Sequence, residues 1–168
     1  MDFEIINQRG LVLIGCGHMG AGLLVRWLES GLELKATTVL DPHPSDWLVG
    51  QSELGLSLNV MTSEPPAVIV LATKPQLIPD ALAKLDTNRF SDTLFLSIAA
   101  GATIASVERL LSPQHPIVRS MPNTPATIGE GASAYIGNAA SKNSLSIAET
   151  LLSSIGLAFE LESETQMD

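Results

Sequence analysis

The sequence predicts a doubly wound, mostly parallel α/β sheet with helices on both faces, and three observations lead there. LVLIG at 11–15, AVIVLA at 67–72 and LFLSIAA at 94–100 are unbroken apolar runs of strand length, the pattern of strands buried on both faces. Stretches with helical spacing of apolar residues lie between and after them, and strands alternating with helices fold as crossover units on a parallel sheet. At 168 residues, with 45% hydrophobic and 16% charged, the chain suffices for one cored domain, expected over 1–168.

Each element has its own justification. After the run at 11–15, Met19, Leu23, Leu24, Trp27 and Leu28 recur at spacings of three and four, and Gly31 stops that helix. ATTVL at 36–40 is β-rich and ends at Asp41, before Pro42 and Pro44; a short helix follows near Ser45 to Leu54. Between the second and third runs Pro79 to Leu85 reads as a helix. After the third, Ile104, Val107, Leu110 and Leu111 form another, with Thr103 as its cap. PIVRS is a strand, SAYIG at 133–137 another, SLSIAETLLSSIG a helix and LAFEL a last strand.

Lys and Arg number 9 against 18 Asp and Glu, a formal charge of -9. Such a field repels nucleic acid and anionic lipid, so an anionic ligand must be held by local geometry. Cys16 is the single cysteine, and no Cys/His cluster has metal-ligand spacing. No apolar run reaches the roughly 18 residues of a membrane span, and the first ten residues lack the basic and apolar order of a signal peptide. A cytoplasmic protein without membrane, nucleic-acid or metal partners is expected.

Gly15-Cys16-Gly17-His18-Met19-Gly20 is a GxGxxG placed between a buried strand and a helix, the context a dinucleotide turn of Rossmann type requires. Gly15 allows the tight turn, Gly17 the approach of a pyrophosphate and Gly20 close helix packing. The helix amino end then binds phosphate through unpaired N–H groups. His18 is expected at the phosphate or ribose. Cys16 as a nucleophile would need a partner base that the sequence does not identify, and this position of such a turn tolerates many side chains. Asp41, 21 residues beyond Gly20, stands where an acid bonds the adenosine ribose, or else is a turn residue ahead of Pro42. The ribose reading favours NAD over NADP, and no Lys or Arg lies between 36 and 73 to receive a 2′-phosphate.

Ala72-Thr73-Lys74-Pro75 follows one buried run directly, and Ala99-Ala100-Gly101 ends the next. In such sheets ligands bind outside the carboxyl ends of strands, which turns Lys74 towards the crevice, as a ligand or as a packed stem. VRSMPNTPATIGEG at 118–131 ends a further strand there. Its prolines push Met121 and Thr124 towards extended backbone and present Asn123 on a stiff loop. His43 and His115, beside prolines, read as exposed loop residues.

GCGHMG, LATKP, SIAAGATIASVERLL and VRSMPNTPATIGEGASAYIG, in this order, resemble the amino-terminal domain of pyrroline-5-carboxylate reductases, from about Leu11 to Asp168. The resemblance implies an NAD(P)-binding domain, with NADP or NAD as cofactor, a cyclic imine as substrate and proline as product. It places Gly15 to Gly20 on the pyrophosphate, Ala72 to Pro75 and Ile98 to Gly101 along the nicotinamide and its ribose, Asn123 beside the nicotinamide, and Glu164 near the substrate. Asp41 departs from the serine or asparagine common in the family. By that resemblance the chain is expected to stop short of the family's Ser-Gly-rich substrate loop and helical dimerisation domain. It is therefore expected to bind dinucleotide, to reduce the imine poorly on its own, and to self-associate weakly through uncovered apolar surface. Two other readings remain: a reductase of deazaflavin-linked or β-hydroxyacid type, and a non-catalytic dinucleotide-binding module.

Overall fold

A computed structural model describes residues 2–167. An eight-stranded sheet is built from β1 (Leu11–Ile14), β2 (Thr37–Leu40), β3 (Ser57–Leu58), β4 (Val68–Leu71), β5 (Leu94–Ser97), β6 (Ile117–Pro122), β7 (Gly131–Gly137) and β8 (Gly156–Glu160), in the order β3-β2-β1-β4-β5-β6-β7-β8. Strands β1 to β6 are mutually parallel, β7 runs antiparallel to β6, and β8 is parallel to β7. The order reverses between β1 and β4; at such a switch point the two connections leave in opposite directions and open a crevice.

The helices are α1 (Glu4–Arg9), α2 (His18–Glu29), α3 (Asp46–Glu53), α4 (Ile78–Ala83), α5 (Ile104–Glu108) and α6 (Leu145–Ser153). Their packing explains the unbroken apolar runs. Leu11, Leu13, Val68 and Val70 share one cluster with Trp27 of α2 and Leu151 of α6, while Val12, Ile14, Ile69 and Leu71 share another with Leu82 of α4 and Val107 of α5. Alternate residues of each strand thus serve opposite faces, so neither set can be polar. The Trp27 indole N–H donates to the carbonyl of Leu151 at 3.0 Å, joining α2 to α6 inside the core.

Thr103 caps α5 as expected, accepting from Ser106 N at 3.1 Å, and Ser45 caps α3, accepting from Leu48 N at 3.3 Å. Three features differ from expectation. Met121 lies in β6, but Thr124 opens a 3-10 turn, Thr124–Ile128, instead of extending; Asn123 is its extended cap (φ -90°, ψ 167°). Pro125 fits because N–H groups in a first turn need no partner. His115 is buried: its Nε2 lies 3.0 Å from the carbonyl of Thr87 and its ring meets Phe95 edge-on at 5.6 Å. The loop before β6 folds under the sheet, and a nearby carbonyl makes burial of the ring tolerable. Finally, α1 and the two-residue β3 have no counterpart in the periodicity.

Candidate dinucleotide site

At the switch point the three glycines of the turn meet three different constraints. Gly15 leaves β1 with φ +86°, and a Cβ there would lie 2.7 Å from Thr73 Cγ2. A Cβ on Gly20 would lie 2.7 Å from the carbonyl oxygen of Gly15, so only glycine lets α2 approach the strand. A Cβ on Gly17 would meet nothing within 4 Å. The space over Gly17 is therefore open on the outside of the turn, where a pyrophosphate would approach. Gly17 is also the cap of α2 and supplies no side chain to it, so the first N–H groups of the helix face outward without an intrahelical partner. His18 is exposed; Met19 packs against the core.

Cys16 is 8% exposed, and its backbone N–H donates to Asp41 Oδ2 at 2.6 Å. Burial, and secondarily the Asp41 charge, push its thiol up to about 11. A thiol of that kind is protonated at neutral pH and is no nucleophile. Asp41 ends β2 half-buried, its second oxygen accepting from His43 N at 2.8 Å. Beside it a cavity of about 460 Å³ is lined by Asp41, Asn59, Met61, Leu77 and Lys84 among others.

The remaining strand ends fall on the same edge. Lys74 is exposed and caps the 3-10 turn Pro75–Leu77, with Thr73 Oγ1 donating to its carbonyl at 3.1 Å. Ile98 and Ala99 are buried, and Ala100 and Gly101 exposed, with Gly101 at φ +82°. Asn123 is exposed; its Oδ1 accepts from Ala132 N at 3.0 Å, which leaves Nδ2 as the available donor. Proximity in space thus unites Gly15–Gly20, Ala72–Pro75, Ile98–Gly101 and Asn123 along one rim.

Glu164 joins the chain at Ile104, three residues past Gly101 of that rim. Its Oε1 accepts from Arg119 Nη1 at 2.8 Å and from Ile104 N at 2.9 Å, so the carboxylate ties the 3-10 turn Glu164–Met167 to β6 and to the start of α5. Two other features escaped the sequence reading. The Thr124–Ile128 turn rests on α2, where a Cβ on Gly22 would lie 2.5 Å from Thr127 Cγ2; a Cβ on Gly129 would lie 2.7 Å from Arg26 Nη2. The stiff loop is therefore a brace on the glycine-turn helix as well as a platform for Asn123. Asn59, at φ +57°, holds Asp41; a single polar residue between Leu58 and Val60 gave no signal.

An open glycine turn at the switch point of a doubly wound sheet defines a dinucleotide-binding domain of Rossmann type. The chain belongs to the family described as NADP oxidoreductase, coenzyme F420-dependent, which matches residues 10–101. It is 33% identical to the pyrroline-5-carboxylate reductase of Haemophilus influenzae over 96% of this chain and 61% of that protein. Among solved structures, the pyrroline-5-carboxylate reductase of Coxiella burnetii superposes with a TM-score of 0.82 at 27% identity, covering 96% of this chain and 62% of that one. The Plasmodium falciparum pyrroline carboxylate reductase, solved with NADP bound, shares the fold with a TM-score of 0.81 at 24% identity, over 96% and 60%. The chain thus spans about three fifths of the length of these relatives.

Proposed function

We propose that the chain is the cofactor-binding domain of an NAD(P)H-dependent reductase of 1-pyrroline-5-carboxylate, a cytoplasmic enzyme that forms proline. The observation that carries this is the single rim on which the open glycine turn, two strand ends bearing small residues and Asn123 lie together. The cofactor, when bound, supplies the hydride for the C=N carbon of the imine. The chain's own residues orient. Unpaired N–H groups at the start of α2 hold the pyrophosphate. Ala100, with only a methyl, and Gly101, with no side chain, would leave a flat ring room against backbone beyond the buried Ala99, and Asn123 Nδ2 would donate to the carboxamide or substrate beside it. Lys74 reaches a ribose or phosphate oxygen, with no role as an acid assigned to it. An iminium substrate already carries its nitrogen proton and needs no strong acid from this domain. Glu164 positions the start of α5, next to the nicotinamide rim, on the substrate side.

The similarity to reductases of this name over 96% of the chain supports the substrate class. It favours an imine over the deazaflavin or hydroxyacid partner of the second reading. The test is calorimetric titration with NADH and NADPH, then assay of cofactor oxidation with 1-pyrroline-5-carboxylate and, separately, an oxidised deazaflavin. Saturable binding with oxidation by the imine, even slow, is expected. Oxidation by the deazaflavin alone would move the chain to the second reading, and no binding of either dinucleotide would overturn both.

A further inference from the structure

The end of β2 is more constrained than its sequence suggests. Asn59 N donates to the carbonyl of Val39 at 2.8 Å, and the Asn59 side chain brackets the backbone of Asp41 from both sides. Asp41 N donates to Asn59 Oδ1, and Asn59 Nδ2 to the carbonyl of Asp41, each at 2.8 Å. Asn59 makes this clamp from the left-handed region, at φ +57°, where asparagine is among the few residues other than glycine that settle readily. The Asp41 carboxylate is fixed in turn by Cys16 N at 2.6 Å on one oxygen and His43 N at 2.8 Å on the other. A carboxylate has about four lone-pair sites. One on each oxygen is used, which leaves acceptor capacity on both.

We propose that Asp41, held by Asn59, selects a dinucleotide whose adenosine ribose carries a free 2′-hydroxyl, so that this chain prefers NADH to NADPH. In this it departs from the cofactor in its family's description. The inference rests on the reading of the glycine turn as a dinucleotide site. A ribose diol brings two donors to the two open acceptor sites. A 2′-phosphate brings only acceptors and negative charge to a carboxylate that the Cys16 and His43 N–H groups keep from turning away. The charged groups lining the adjoining cavity are Asp41, Asp80 and Lys84. Two acids thus face one cation, and no Lys or Arg occurs from 36 to 73. A site built for a 2′-phosphate needs the opposite balance.

The experiment is calorimetric titration of the chain, its Asp41→Ser variant and its Asn59→Gly variant with NADH and NADPH. Glycine at 59 keeps the left-handed backbone but removes both side-chain bonds, and thermal unfolding by circular dichroism checks that each variant folds. NADH should bind the unaltered chain about tenfold or more tighter than NADPH, the margin of a charge-assisted hydrogen bond gained against a repulsion. Asp41→Ser should abolish the preference by weakening NADH and strengthening NADPH. Asn59→Gly should narrow it by about threefold or more, because an Asp41 backbone that is no longer clamped holds its carboxylate less firmly against the Cys16 and His43 N–H groups. If Asn59→Gly weakens both cofactors equally, the residue is only structural and its positioning role is overturned. NADPH binding as tight as NADH, or tighter, overturns the selectivity while leaving the dinucleotide reading intact; loss of that binding in Lys84→Ala would then identify the phosphate's receptor. Binding of neither overturns the dinucleotide reading itself, and the selectivity with it.

Discussion

The glycines of the turn are alike in sequence and opposite in their surroundings, and this separates folding from binding one residue at a time. Gly17→Ala adds a methyl to open space, so stability should change by less than about 1 kcal/mol while dinucleotide affinity falls, because the methyl stands where the pyrophosphate approaches. Gly20→Ala drives a methyl against the Gly15 carbonyl oxygen at 2.7 Å and should cost about 1–3 kcal/mol by overpacking. Urea unfolding and calorimetry on the two variants check the contrast. Cys16 gives a prediction in pH. Its folded thiol is raised from 9.0 to about 11, so the folded state favours the protonated form. That contribution to stability is complete below pH 9 and is lost as pH rises through about 11. Alkylation by iodoacetamide at pH 8 should be slower than for a free thiol by about a hundredfold, the ratio of thiolate fractions for a two-unit shift. The glycine constellation was legible because each position has a steric reason tied to its spacing. The burial of His115 was not, since adjacency to proline indicates a turn but says nothing of what the turn packs under. Asn59 was equally hidden, because its partner lies 18 positions away.

Among elements, the central strands were legible because a strand flanked by helices on both faces has no polar alternation to lose. The direction of β7 was not. Val118 lies opposite Gly137 and Pro122 opposite Ser133, a pairing set by the brace turn between β6 and β7, and alternation in SAYIG is the same whichever way the strand runs. Helix α1 was missed because one turn and a half with a single buried residue, Ile6, has too little periodicity to detect. The turn holding Glu164 is an element whose worth is measurable. Arg119 is 3% exposed and Glu164 28%, so Glu164→Ala leaves a buried guanidinium short of one charged partner. The expected loss is about 1.5–3 kcal/mol. Glu164→Gln keeps an acceptor for Ile104 N and should cost less, and Arg119→Met, which removes the buried charge itself, should also cost less than Glu164→Ala. If chemical denaturation finds Glu164→Ala neutral, the last turn does not stabilise the fold.

At the scale of the whole molecule, one face of the sheet is unequally covered. Leu157 and Phe159 of β8 are 66% and 54% exposed, and their register partners Ala132 and Ala134 of β7 continue the same apolar face. Such a patch promotes association, whereas the charge of -9 opposes it over a Debye length of about 8 Å at physiological salt. Gel filtration with light scattering should show concentration-dependent self-association that grows with added salt, and Leu157→Lys with Phe159→Lys should abolish it. A monomer at every concentration and ionic strength would assign the patch no such role. The bond from Trp27 to the Leu151 carbonyl spans 124 positions of sequence, and it bears on how the molecule comes into being. The glycine turn is made early in synthesis, yet the helix it opens stays without its buried partner until α6 has left the ribosome. Closing so long a loop is slow. A nascent chain halted before Leu151 would carry every residue of the glycine turn and still lack the carbonyl that anchors Trp27 of α2, so the cofactor site is complete in sequence before its helix is fully secured.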